Sequence, residues 1–231
     1  MDEPDDAETV EIQGLSGDTI EAPVADKPRS RWPLIVGILG GVVVLLLVVG
    51  LLGSQTFYRS TFTNLVETTR QAEGTPIWGD FFIAQDCFID AVVESGDAGL
   101  AFNEGLTLLD ETDLLARHVS QSLAVFADIW IVPFHGPLGE ARAAIAAHYE
   151  VWAAHLSEAS AVLATLDSDP TTLATQFQTW VTVVVDDAAA IESTFEDAGG
   201  AFNAAATDDQ MVTTLGNLFT PSNASCTRGA V

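Results

Sequence analysis

The chain has 231 residues, 48% of them hydrophobic, with 33 Asp and Glu against 8 Lys and Arg, for a formal net charge of −25. That excess argues against nucleic acid and anionic lipid headgroups as partners, since both would be repelled over about 8–10 Å, the Debye length at physiological salt. Cations and basic protein patches stay open to it, although an acid-rich proteome would give the same balance.

Residues 1–32 hold nine acids against three bases and few large apolar groups. They cannot bury enough surface to offset the entropy of ordering, and so read as a disordered acidic tail. Thr9 and Thr19 each sit between an acid and a β-branched residue, ten positions apart. A kinase tolerant of acidic substrates could phosphorylate them and create a site for an arginine-lined reader, although an acid-rich tail also throws up such repeats by chance.

Residues 33–53, PLIVGILGGVVVLLLVVGLLG, contain no charged side chain. At ~1.5 Å per residue such a helix covers the ~30 Å hydrocarbon core of a bilayer, so the stretch reads as a transmembrane helix. Lys27, Arg29 and Arg31 lie just before it, and the next positive charge is Arg59. The positive-inside bias therefore places the amino terminus in the cytoplasm and the rest of a single-pass cell-membrane protein outside. A cleaved secretory signal is the rival reading. Against it stand the length of the apolar run and the lack of an Ala-x-Ala site after Gly53. Gly37 and Gly41 form a G-x-x-x-G spacing through which two copies of the helix can approach as a homodimer.

Residues 54–231 form the third region, long enough for one extracytoplasmic domain with a real core. Their apolar residues recur at helical spacing, without strand alternation or hairpin signals, so the expected fold class is all-α: an up-and-down bundle of four to six helices on one membrane anchor.

Tyr58, Phe62, Leu65 and Thr69 line the first outer helix, read as an extension of the membrane span. Gly74 and Thr75-Pro76 then give a stop, an N-cap and a proline at the first helical position. A second helix, about 76–95, gathers Trp78, Phe81, Phe82 and Phe88 on one stripe, with Asp86, Asp90 and Glu94 as a solvated acidic flank. A third helical region restarts at Gly96-Asp97 and continues, with room for a break near Gly105 or Asp110, until Pro133, Gly136 and Pro137 end it. In the fourth, Ile145, Tyr149, Trp152, Leu156, Ala159, Leu163 and Leu166 alternate spacings of four and three, the seam of a bundle or coiled coil. Asp169-Pro170 opens a fifth with Leu173, Phe177, Trp180, Val184, Ala188, Ile191 and Phe195 at matching intervals, and the two seams should pack antiparallel. A last helix is expected from Thr207 to Pro221; the sequon at Asn223 reads as chance.

Cys87 and Cys226 are the two cysteines and both lie in the outer region, where an oxidising compartment would let them pair. The bridge closes about 140 residues and on the chain-entropy model contributes about 4–5 kcal/mol.

Nucleophilic catalysis has no candidate residues, and neither a phosphate-cradling glycine loop nor a zinc cysteine pair occurs. His148 and His155 are seven apart on one edge of the fourth helix, and Asp187 flanks the apolar stripe of the fifth. Facing each other, the three could hold a transition metal or heme-like group, although imidazoles at a core margin more commonly just satisfy a hydrogen bond. The leading expectation is a non-enzymatic envelope or sensor-type protein, without a cofactor, binding a protein partner or small ligand. The alternative is a metal- or cofactor-binding enzyme or carrier built on His148, His155 and Asp187.

Overall fold

The computed structural model describes residues 32–133, 135–206 and 226. Thr9 and Thr19, the disordered-tail reading, the helix expected from Thr207 and the Asn223 sequon all lie outside the described residues. Within them, all regular structure is helical: α1 (Trp32–Glu73), α2 (Pro76–Asp90) followed by a π-helical turn (Ala91–Ser95), α3 (Ala98–Asp128), α4 (Gly136–Leu163) and α5 (Pro170–Ala205).

The chain divides into two compact units, one ending at Val49 and the other beginning at Gly50. In the first, the apolar side chains of Val42 to Val49 are exposed, Leu45 and Leu46 at 64%. One helix is long and apolar enough to cross a membrane, with an 18-residue window of mean hydropathy 2.0 that is wholly unburied in protein. A side chain added at Gly41 would meet nothing within 4 Å, so that face of the helix is open.

In the second unit α1 carries on without interruption to Glu73 and buries Phe62, Leu65, Thr69 and Ala72, a stripe at spacings of three and four. Pro76 stands at the start of α2, and Asp169 opens α5 by accepting from Thr172 N at 3.0 Å. Gly96, at φ 64°, takes the left-handed conformation that ends the π-helical turn, after which Asp97 caps α3 through Gly99 N (2.9 Å) and Leu100 N (3.2 Å).

Helix α3 is continuous through Gly105 and Asp110, where the sequence left room for a break. Gly105 is buried, and a Cβ placed on it would lie 3.0 Å from the ring of Phe88 and still closer to Leu166. The missing side chain serves the close approach of α2 and the α4–α5 turn.

Helix α4 lies against both α3 and α5, and α2 lies against α3. The α4–α5 pair is antiparallel, since His148 meets Thr194 while His155, further along α4, meets Asp187, earlier on α5. The same crossing holds for α3 and α4, where Ser160 meets Asp113 and Tyr149 meets Phe126. Tyr149, Phe88, Phe126, Phe202, Leu115 and Leu156 are fully buried at the centre. The Sγ atoms of Cys87 and Cys226 stand at disulfide distance, their Cα atoms 4.9 Å apart.

Candidate functional site

The site grows from the interruption between α1 and α2. Gly74 N closes on Arg70 O at 2.8 Å, Thr75 is extended (φ −80°, ψ 148°), and Pro76 cannot continue the hydrogen-bond ladder of α1. Thr75 occupies the N-cap position, yet its hydroxyl makes no capping bond and is a buried oxygen without a protein partner.

Beside this interruption the core gives way to a groove of about 670 Å³, walled by the last residue of α1, by α2, and by the facing sides of α4 and α5. On α5 the stripe expected to be core is incomplete: Leu173 and Trp180 are buried, whereas Val184, Ile191 and Phe195 are half-buried and Ala188 is exposed. These four line the groove.

The opposite wall is aromatic. Trp78 donates its indole N–H to Ala72 O at 3.1 Å, which fixes the ring at the head of α2. Trp152 meets Trp78 edge-on (centroids 5.0 Å, 79°) and Phe82 likewise (6.4 Å, 77°), while Phe82 stacks beside Trp78 (6.4 Å, 27°). The three rings thus present faces in two nearly perpendicular directions.

Glu73, Glu192, His148 and His155 bring the polar chemistry to this lining. Burial pushes the Glu73 carboxyl up to about 7, and the hydrogen bond from the Tyr149 hydroxyl offsets only part of that. The same burial, reinforced by the negative charge of Glu73, drives Tyr149 far above the ordinary phenol range, so it stays a donor. Burial also holds His148 down to about 4, leaving it neutral. Its Nδ1 lies 3.0 Å from Thr194 Oγ1. That hydroxyl also lies 3.0 Å from Ala190 O and 3.1 Å from Ile191 O, carbonyls that can accept its proton. His155 is 5% exposed and donates from Nδ1 to Asp187 Oδ2 at 3.0 Å.

Of the residues singled out from sequence, His148 and His155 therefore share the groove wall, and Asp187 stands behind His155 as its hydrogen-bond partner, outside the lining. Among the described residues no three His, Cys, Asp or Glu side chains converge so as to hold a metal ion. The other two histidines serve the scaffold. His118 Nε2 donates to Ala72 O at 2.7 Å, and His135 Nε2 meets Ser54 Oγ at 3.0 Å.

Sequence reasoning missed Glu73, Thr75 and Tyr149 as site residues. A signal was present: Glu73 falls four residues after Thr69, on the apolar face of α1, immediately before a helix stop. No protein-family model, curated protein or solved structure matches this chain.

Proposed function

We propose that the chain is a single-pass membrane protein, amino terminus cytoplasmic, whose outer helical bundle is a binding module for a small, largely apolar ligand. The observation that carries this is the groove: about 670 Å³, aromatic on one side, aliphatic on the other, with a few converging polar groups. Small-molecule sites have that size and lining. Between the two occupants expected from sequence, a protein partner or a small ligand, such concavity favours the ligand.

The unburied apolar run of α1 supports the anchor. So does Trp130, which is 67% exposed and packs edge-on against Phe57 at 5.5 Å, about one helical turn beyond Gly53. Aromatic residues collect at that depth, where ring and indole N–H find different solvents. A homodimer through Gly37 and Gly41 is compatible with the open face at Gly41. The oxidising exterior that this topology assigns also suits the Cys87–Cys226 bridge.

Native mass spectrometry of the full chain extracted from its own membranes tests the reading. A bound small molecule lost on Trp152→Ala supports it, and a ligand-free protein that also ignores aromatic probes overturns it. Protease applied to intact cells should digest the region after residue 53 and spare the tail. The rival metal-centred reading draws on the shared wall position of His148 and His155, and stoichiometric metal that disappears with both imidazoles would establish it instead.

A further inference from the structure

We propose that the groove selects an organic ammonium ion with an apolar body, a quaternary ammonium or protonated amine, gripping it between the rings of Trp78, Phe82 and Trp152 and the carboxylate of Glu73. This rests on the groove-binding reading above and names the class of ligand.

Three independent features of the groove converge on that class. The first is shape: two nearly perpendicular aromatic directions, with Trp78 and Trp152 only 5.0 Å apart, form the kind of walls over which a cation is attracted by the ring quadrupoles. The second is charge. Glu73 and Glu192 line the groove, and among the described residues no Lys or Arg does. An anionic ligand would find no counter-charge there.

The third is unfinished bonding. Glu73 is a desolvated carboxyl whose protein donor is the Tyr149 hydroxyl, and the Tyr149 ring in turn stands edge-on to Trp78. A buried carboxylate with a hydroxyl for company gains most from a cation. Thr75 lines the groove beside it.

Ligand binding is consequently linked to the Glu73 proton. The other titratable groups around it are few. Helix α4 supplies Tyr149, which stays protonated, the neutral His148, and His155 bonded to Asp187 of α5. Helix α5 adds Glu192, and α3 places His118 on the carbonyl of Ala72. On α1 itself Arg70 is turned to Glu67 at 2.6 Å, and α2 contributes no titratable side chain to the lining.

The test uses the full chain in detergent and three probes that share a phenyl body: benzyltrimethylammonium, 2-phenylethanol and phenylacetate. At about pH 8.5 the cation should bind about tenfold more tightly than the neutral probe, with the anion weakest. The preference should shrink at about pH 5.5, where Glu73 is protonated. Glu73→Gln, nearly isosteric, should reduce it to within about twofold and abolish its pH dependence, while Trp152→Ala should weaken every probe. Equal binding of cation and neutral probe by the native chain overturns the ammonium assignment and leaves the groove reading standing. Failure of all three probes overturns both. Circular dichroism identifies variants that do not fold, and the comparison of probes on the native chain decides the matter without them.

Discussion

The Tyr149 hydroxyl donates to the carboxyl group of Glu73 across 76 positions of sequence, tying the last turn of α1 to the middle of α4. Because that carboxyl is also desolvated, it holds its proton up to about pH 7 in the folded chain and releases it at about 4.5 when unfolded. The folded state therefore binds more protons in that interval. The stability this provides is fully present below about 4.5 and is lost as pH rises through 7. Glu73→Gln cannot ionise, so relative to the native protein it should gain up to about 3 kcal/mol between pH 4.5 and 8. Denaturant unfolding at a series of pH values checks this, and parallel curves would show that Glu73 ionises as freely as an exposed glutamate.

His148 works in the opposite sense. Its folded value near 4 lies below the ordinary 6.5, so its contribution is fully present above 6.5 and disappears as pH falls through 4. Replacing it by Asn should flatten the acid limb of the stability profile by an amount on the order of 3 kcal/mol. The titration of its ring protons, followed by NMR, gives the folded value directly.

Thr75 stands at an N-cap without capping. Removing a working threonine cap costs about 1 kcal/mol. Here the hydroxyl is buried and unpartnered, so Thr75→Val should be neutral or stabilising by up to about 1 kcal/mol in the ligand-free protein. A loss of a full kcal/mol in chemical denaturation would mean that the oxygen does cap α2.

Gly105 lies where α3 meets Phe88 and Leu166. Leu166 is half-buried in the α4–α5 turn and can swing aside, but Phe88 is fully buried and wedged between Phe177 (5.5 Å) and Trp180 (5.4 Å). Overpacking at such a contact costs about 1–3 kcal/mol, and Gly105→Val should show it as a lowered unfolding midpoint with little change in helix content.

Much of the fold was legible because its signals are local. The stops at Gly74-Pro76 and Asp169-Pro170 follow from backbone chemistry, and the seam of α4 follows from the helical period. The neighbourhood of His155 and Asp187 could be anticipated too, each lying at the edge of a periodic stripe. The groove could not. Val184, Ala188, Ile191 and Phe195 recur at core spacing whether a helix or a hollow faces them, and periodicity reports only that a face is apolar. Gly105 was ambiguous for a related reason: a helical glycine can pass for a break until the ring that needs its space is known. The Glu73–Tyr149 bond joins two helices separated by the whole of α2 and α3, a relationship that no window of sequence contains.

Cys87 and Cys226 stand at disulfide distance, 139 positions apart, and a bond between them would close the intervening chain into a covalent ring. Helices α3, α4 and α5 all belong to that ring, while α1 precedes it in the chain. A nick in any connection within the ring would then leave both pieces joined until a reductant is added, whereas a single cut just after Gly53 would release the looped portion whole. Proteases that cut after Gly53 and proteases that cut within the ring would thus leave different traces on gels run with and without thiol.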